Sequence, residues 1–212
     1  MPTKVAPGVV QERLAHSKVL YLTDENLLVD TGPESEWAEL QVFLNEMDNI
    51  EQLFISHTHG DHIGNLERVV ETYQPDIFFP ENEPIEDIFL SEDEITRVSD
   101  DEILGSDVQV VQVPGHSPGI CALYLPERKV LLATDVLDGA DRRGLPANYL
   151  LPPPAMFNWD TQQAEENLKK LLDLEFDTVI VTHGSNIEEN ALIKLKKYLN
   201  FPEYYRQQLL ED

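Results

Sequence analysis

A chain of 212 residues, 42% of them hydrophobic, is long enough to bury a core, and no stretch of it is apolar enough to span a membrane. Its 40 acidic side chains against 15 basic ones leave a formal net charge of -25, the opposite of the balance a nucleic-acid binder carries. One cysteine, Cys121, excludes an internal disulfide framework, and its place in the apolar run ICALYL marks it as a buried strand thiol.

The N-terminal MPTKVAPGVVQERLAH lacks the apolar run of a signal peptide, so a cytoplasmic protein is expected. The acids are spread along the whole chain and are densest over residues 81–104, where spaced apolar residues such as Ile85, Phe89, Ile95 and Val98 distinguish the segment from a disordered charge block. A dispersed acidic surface over an ordinary core fits either a protein adapted to high salt, where self-repulsion is screened, or a simply acidic one.

In chain order, KVLYLT and NLLVDTG read as paired strands around a turn at Asp24, Glu25 and Asn26, followed by an amphipathic helix in PESEWAELQVFLNEM whose Trp37 belongs to the core. EQLFI is a buried strand, and GNLERVVETY has helical spacing. DIFFP is a short strand; short elements follow in the acidic segment. DVQVVQV, ICALYLP and KVLLATD then make three strands with turns at PGHSPG and PERK. Helix, strand and helix close the pattern in TQQAEENLKKLLDL, DTVIVTHG and NIEENALIKLKKYL, with a final short helix expected in FPEYYRQQLLED. With no internal repeat or low-complexity linker, the expectation is one domain over residues 1–212, built of two sheets with helices outside.

Between EQLFI and the helix after it lies SHTHGDHIGN, residues 56–65, which puts His57, His59, Asp61 and His62 on the turn leaving a strand, the edge where ligands bind in α/β folds. His116 in VPGHSPG, Asp135 at the end of KVLLATD and His183 in VTHGS also fall where strands meet turns. Five imidazoles and two carboxylates suit Zn(II) or Fe(II), and the lack of clustered thiols argues against a structural zinc site. Seven ligands are too many for one tetrahedral ion and suit two ions that share a water. A polar helix start accounts poorly for three histidines around Asp61, and His16 belongs to no motif and is expected on the surface.

The segments LLVDTG, HTHGDH, PGHSPG, LLATD and VTHG, in that order over residues 18–199, resemble the metallo-β-lactamase-fold hydrolases, in particular the metal domain of glyoxalase II. The resemblance implies an α/β fold, the αββα sandwich, in which two mixed β-sheets pack face to face with helices on the outside. It implies that His57, His59 and His116 hold one metal, Asp61, His62 and His183 a second, and that Asp135 bridges both; the expected cofactor is two zinc ions per chain, with iron or manganese as alternatives. Thr134 stands where many relatives have glycine, a departure not expected to disturb ligation. Asp30 reads as a buried carboxylate behind the ligands or as a turn former.

The implied reaction is metal-dependent hydrolysis of a small thioester, lactone or related ester by a metal-bridging hydroxide, with Asp61 orienting it or carrying its proton. The other readings are an iron oxygenase resembling the persulfide dioxygenases, using His57, His116 and Asp135, an RNA-processing nuclease, and a metal-binding scaffold without catalysis. The partner is a small-molecule substrate, with neither nucleic acid nor membrane. The resemblance extends to the metal domain of glyoxalase II, and the basic residues and C-terminal helical domain with which that enzyme grips glutathione are not expected here. The segment 137–160 is unusually apolar for a loop and is expected to wall the substrate pocket. There Arg142 and Arg143 either grip a substrate anion or pair with surface acids, Tyr149 lines the pocket, and Trp159 lines it or anchors the loop.

Overall fold

The structure is a computed structural model that describes residues 2–86, 88–202 and 206. The final helix expected over residues 201–212 lies, apart from Phe201, Pro202 and Arg206, outside the described residues. The chain divides into two compact units, Met1–Ser99 and Asp100–Asp212.

The first unit is a seven-stranded mixed sheet whose strands lie in sequence order: β1 (Thr3–Ala6), β2 (Val9–Leu14), β3 (Ser17–Leu22), β4 (Leu27–Val29), β5 (Gln52–Phe54), β6 (Asp76–Pro80) and β7 (Thr96–Val98). Neighbours are antiparallel as far as β4 and parallel from β4 to β7. The strand β2 is absent from the sequence reading because VVQERL buries only its ends, Val9 and Leu14, and shows no alternation between them.

Parallel strands need crossovers, and helices supply two of them. The crossover from β4 to β5 is α1 (Trp37–Leu44), entered through a 3-10 turn at Glu34–Glu36; Leu40, Phe43 and Leu44 recur at helical spacing and are buried on Leu28, Leu53 and Phe79 of the sheet. The next is α2 (Gly60–Ile63) followed by α3 (Leu66–Tyr73), which buries Leu66 and Val69 and stops at Gln74, a residue in the left-handed region. Fully buried leucines and phenylalanines of this kind contribute roughly 1.5–3 kcal/mol each. Trp37 packs partly buried against this core, and His16 is exposed as expected.

The second unit is a five-stranded mixed sheet built from β8 (Ile103–Leu104), β9 (Val108–Gln112), β10 (Cys121–Leu125) and β11 (Val130–Thr134), with β14 (Thr178–Val181) added parallel beside β11. Every residue of β10 and β11 is buried, Cys121 included, so these strands read as continuous apolar runs. Between β11 and β14 come a small ribbon of β12 (Asp138–Gly139) and β13 (Leu150–Leu151), then α4 (Thr161–Asn167), prolonged by a 3-10 helix through Asp173. The last helix, α5 (Ala191–Leu199), buries Ala191, Leu195 and Tyr198, spaced by four and three residues on one face. In both units the chemistry-bearing residues follow the C-terminal ends of strands: Asp30 after β4, residues 56–62 after β5, His116 after β9, Asp135 after β11 and His183 after β14. Among the described residues no helix is long and apolar enough to cross a membrane.

Candidate metal centre

In the first unit the loop leaving β5 gathers four donors within six residues. A ring nitrogen of His57 lies within 4.8 Å of one on His59 and of one on His62, and the ring centroids of His57 and His62 are 4.0 Å apart. Asp61 Oδ1 stands 4.0 Å from His62 Nε2. His57 and His62 are fully buried, whereas His59 and Asp61 are partly exposed.

Asp30, buried and in the left-handed region at φ 62°, sets the ring orientations. Its carboxylate accepts from Ser56 N–H at 2.8 Å, from Ser56 Oγ at 2.8 Å and from His62 Nδ1 at 2.7 Å. The hydroxyl proton of Ser56 is thereby committed to Asp30, so the 3.0 Å contact from Ser56 Oγ to His57 Nδ1 has the imidazole donating. Both rings carry their proton on Nδ1 and present the Nε2 lone pair, the tautomer a metal takes. Asp30 is thus both the buried carboxylate and the turn residue that the sequence offered as alternatives. The turn after it is tied to the same loop: Thr31 N–H donates to the His62 carbonyl at 2.7 Å, and Asn65 Nδ2 donates to the carbonyls of Thr31 and Pro33. Gly64 is required here, since a Cβ would lie 2.2 Å from the Glu34 nitrogen.

In the second unit two histidines far apart in sequence converge on one oxygen of Asp135. Asp135 Oδ2 is 3.5 Å from His116 Nε2 and 3.3 Å from His183 Nε2, and all three side chains are nearly buried. His116 Nδ1 donates to Asn158 Oδ1 at 2.9 Å; Asn158 Nδ2 points the other way, to the carbonyl of Pro153, which fixes the amide orientation and leaves the His116 lone pair on Nε2. The backbone locks this further, with Trp159 N–H on the His116 carbonyl and Asp160 N–H on that of Gly115. Gly115, at φ 141°, lies where a Cβ would fall 2.2 Å from Ala164, so only glycine lets α4 approach the His116 turn.

Beside this cluster Asp138 is fully buried and paired with Arg142 Nη1 at 2.7 Å. Burial first, and then the charge of Asp135, push its carboxyl up to about 6, against the pull of Arg142. Arg142 also stands over the Phe157 ring at 5.3 Å, and Arg143 donates to the carbonyl of Pro152. Tyr149 and Trp159 are 59% and 64% exposed. Tyr149 lines a cleft of about 710 Å³ with Leu145, Leu151, Lys194 and Phe201; none of the histidines or Asp135 lines it, nor does Trp159. Ser56, Asn158, Asn65 and Asp138 are the residues that sequence reasoning missed. The first three act through hydrogen bonds that reach well along the chain or depend on such a bond, and Ser56 and Asn65 stand at the two ends of the SHTHGDHIGN turn, just outside its donors.

The sequence model of the metallo-beta-lactamase superfamily matches residues 13–183. The hydroxyacylglutathione hydrolase of Bartonella tribocorum is 28% identical over 145 residues, covering 68% of this chain; the chain spans 52% of that enzyme's length. Among solved structures, a beta-lactamase domain protein from Burkholderia ambifaria is similar with a TM-score of 0.69 at 18% identity, over 93% of this chain and 76% of its own. Rubredoxin oxygen:oxidoreductase from Desulfovibrio gigas is similar with a TM-score of 0.68 at 16% identity, over 94% of this chain and 61% of its own. These structural likenesses show a shared α/β fold of mixed sheets with helices, hosting more than one chemistry.

Proposed function

The chain belongs to the metallo-β-lactamase superfamily, and on that premise we propose that it is a dinuclear metal-dependent hydrolase of a small thioester, lactone or related ester. In this reading His57, His59 and His116 would hold one ion and Asp61, His62 and His183 the other, with Asp135 available to both. The observation that carries this reading is the tautomer pattern: His57, His62 and His116 each donate through Nδ1 to Ser56, Asp30 and Asn158, so each presents Nε2 to an ion. Nitrogen and oxygen donors without thiolate suit zinc, with iron or manganese as the other candidates.

Two such ions supply a water of lowered pKa and a Lewis acid for a carbonyl oxygen. Asp61, the most exposed carboxylate of the set, holds and relays the proton of the attacking water. Asp30 and Asn158 keep the imidazoles from turning, and the segment 137–160 walls the substrate, with Trp159 hydrogen-bonded by its backbone to the His116 turn. The Bartonella relative is a hydroxyacylglutathione hydrolase by name, which supports the thioester in the substrate class. A net charge of -25 disfavours a polyanionic substrate and favours a small molecule as the partner. A cytoplasmic setting belongs to the same reading, and a saline one would screen that charge.

Elemental analysis of the purified chain, followed by a panel of acyl thioesters and lactones with oxygen consumption measured on the same sample, tests the reading. Two zinc ions and hydrolysis are expected. One iron per chain with oxygen uptake and no hydrolysis would replace the hydrolase by an oxygenase using His57, His116 and Asp135.

A further inference from the structure

We propose that Glu83 is a positioning residue for the metal-binding loop, its buried carboxylate clamping Thr58 between His57 and His59. The inference rests on the metal reading above, but concerns a residue outside the ligand set. Glu83 is 2% exposed, and its Oε1 accepts from both Thr58 N–H at 2.8 Å and Thr58 Oγ1 at 2.9 Å. Thr58 is the single residue between two imidazoles whose ring centroids lie 4.6 Å apart, so whatever fixes its backbone fixes their spacing.

The carboxylate reaches Thr58 because the turn after β6 is itself held. Glu83 N–H donates to the Pro80 carbonyl, and Arg97 Nη1 spans the carbonyls of Pro80 at 2.8 Å and Glu83 at 2.7 Å. Arg97 is in turn gripped by Glu92 through two parallel bonds, Nη2 to Oε1 at 2.6 Å and Nε to Oε2 at 3.0 Å. Part of the chain's most acidic stretch therefore works as a strap: Glu92 orients Arg97, Arg97 holds the turn, and Glu83 carries the fixation inward to the histidines. Removing the carboxylate takes a charged acceptor from a backbone amide and a hydroxyl at once.

The test is metal affinity, measured by competition with a chromophoric chelator on the full-length protein. Glu83→Ala is expected to weaken binding by about tenfold, the lower end of what losing a direct partner of a ligand costs because Glu83 acts through Thr58, while Glu83→Gln, which keeps an acceptor oxygen, stays within about threefold of wild type. Leu40→Ala, in the core of the same unit and outside residues 56–62, serves as the control for lost stability and should keep wild-type affinity. If Glu83→Ala does not fold, Thr58→Ala, which deletes only the hydroxyl bond, is expected to weaken binding about tenfold or less but measurably. Wild-type affinity in the folded Glu83→Ala protein, or in Thr58→Ala where it stands in, overturns the inference. So does equal weakening by Leu40→Ala. A wild-type protein that takes up no transition metal overturns the metal reading itself, and this inference with it.

Discussion

The two units hold their candidate metal ligands by opposite means. In the first, four donors sit within six consecutive residues, and one buried carboxylate, Asp30, governs two of the rings through Ser56 and His62 directly. In the second, His116, Asp135 and His183 come from three separate turns and meet only because β9, β11 and β14 belong to one sheet. A contiguous cluster depends on local hydrogen bonds; a dispersed one depends on the packing that brings strand ends and helices together. Damage to packing should therefore harm the second half more, and damage to a single hydrogen-bonded residue the first.

The largest effect is expected from Asp135→Ala, which removes the oxygen on which both histidines of the second unit converge. On the proposed two-ion hydrolase, metal content should fall from two ions to one or none and hydrolysis should be lost, as read by elemental analysis and turnover. Retention of two ions would detach Asp135 from the centre. Next comes Gly115→Ala. Its Cβ would lie 2.2 Å from Ala164, so α4 must shift away from the His116 turn, at a cost of about 1–3 kcal/mol for an overpacked contact. Denaturant unfolding should show that loss together with weaker metal binding, a pairing that a local change such as Asn158→Ala should reproduce only in its metal arm: there the affinity falls by about 10–100-fold through the freed His116 ring.

The same contrast explains how much could be read from the sequence. The HxHxDH turn announces itself because its donors are adjacent. The second set was recognisable only through order along the chain, since a lone histidine in VPGHSPG or VTHGS carries no chemistry by itself. Most strands were legible as apolar runs, and DIFFP matches β6 at both ends. The β1–β2 hairpin was not, because half of its strand residues are polar and only Ala6, Val9 and Leu14 are buried. Helical spacing over 161–174 does not reveal that the backbone tightens to a 3-10 helix after Asn167, and the partners Asn158 and Glu83 sit 42 and 25 residues from the groups they hold. Side-chain hydrogen bonds over such separations leave no periodicity to detect.

A smaller effect distinguishes the units by pH. Asp138 lies in the second unit and its carboxyl is raised from 3.8 to about 6, chiefly by burial. Between about pH 4 and pH 6 the unfolded chain has released this proton and the folded chain retains it, so the contribution of Asp138 to stability falls as pH rises through that window and stays low above it. In chelator-treated protein, Asp138→Asn should flatten this part of the stability profile. A profile unchanged by the substitution would assign the pH dependence to other groups.

The smallest expected effect concerns Thr134, read from the sequence as a harmless replacement for glycine. It is a β-branched residue at φ 49°, placed where the β11–β14 pairing slips its register, and the turn it makes delivers Asp135. Holding an L-residue in that region costs about 1–2 kcal/mol. The Thr134 hydroxyl donates to the Cys121 carbonyl at 2.9 Å on the neighbouring strand, which returns about 1 kcal/mol. Thr134→Gly relieves the strain, loses the bond and adds about 0.5–1 kcal/mol of unfolded-chain entropy, so the terms nearly cancel and stability should move by no more than about 1 kcal/mol. Thr134→Val keeps the strain and loses the bond, and should be the less stable of the two by about 1 kcal/mol. Both should retain metal, since the Asp135 carboxylate is untouched. Should thermal unfolding rank valine above glycine, the strain at this position is not what governs it, and the second unit's cluster depends less on backbone geometry than the contrast with the first unit requires.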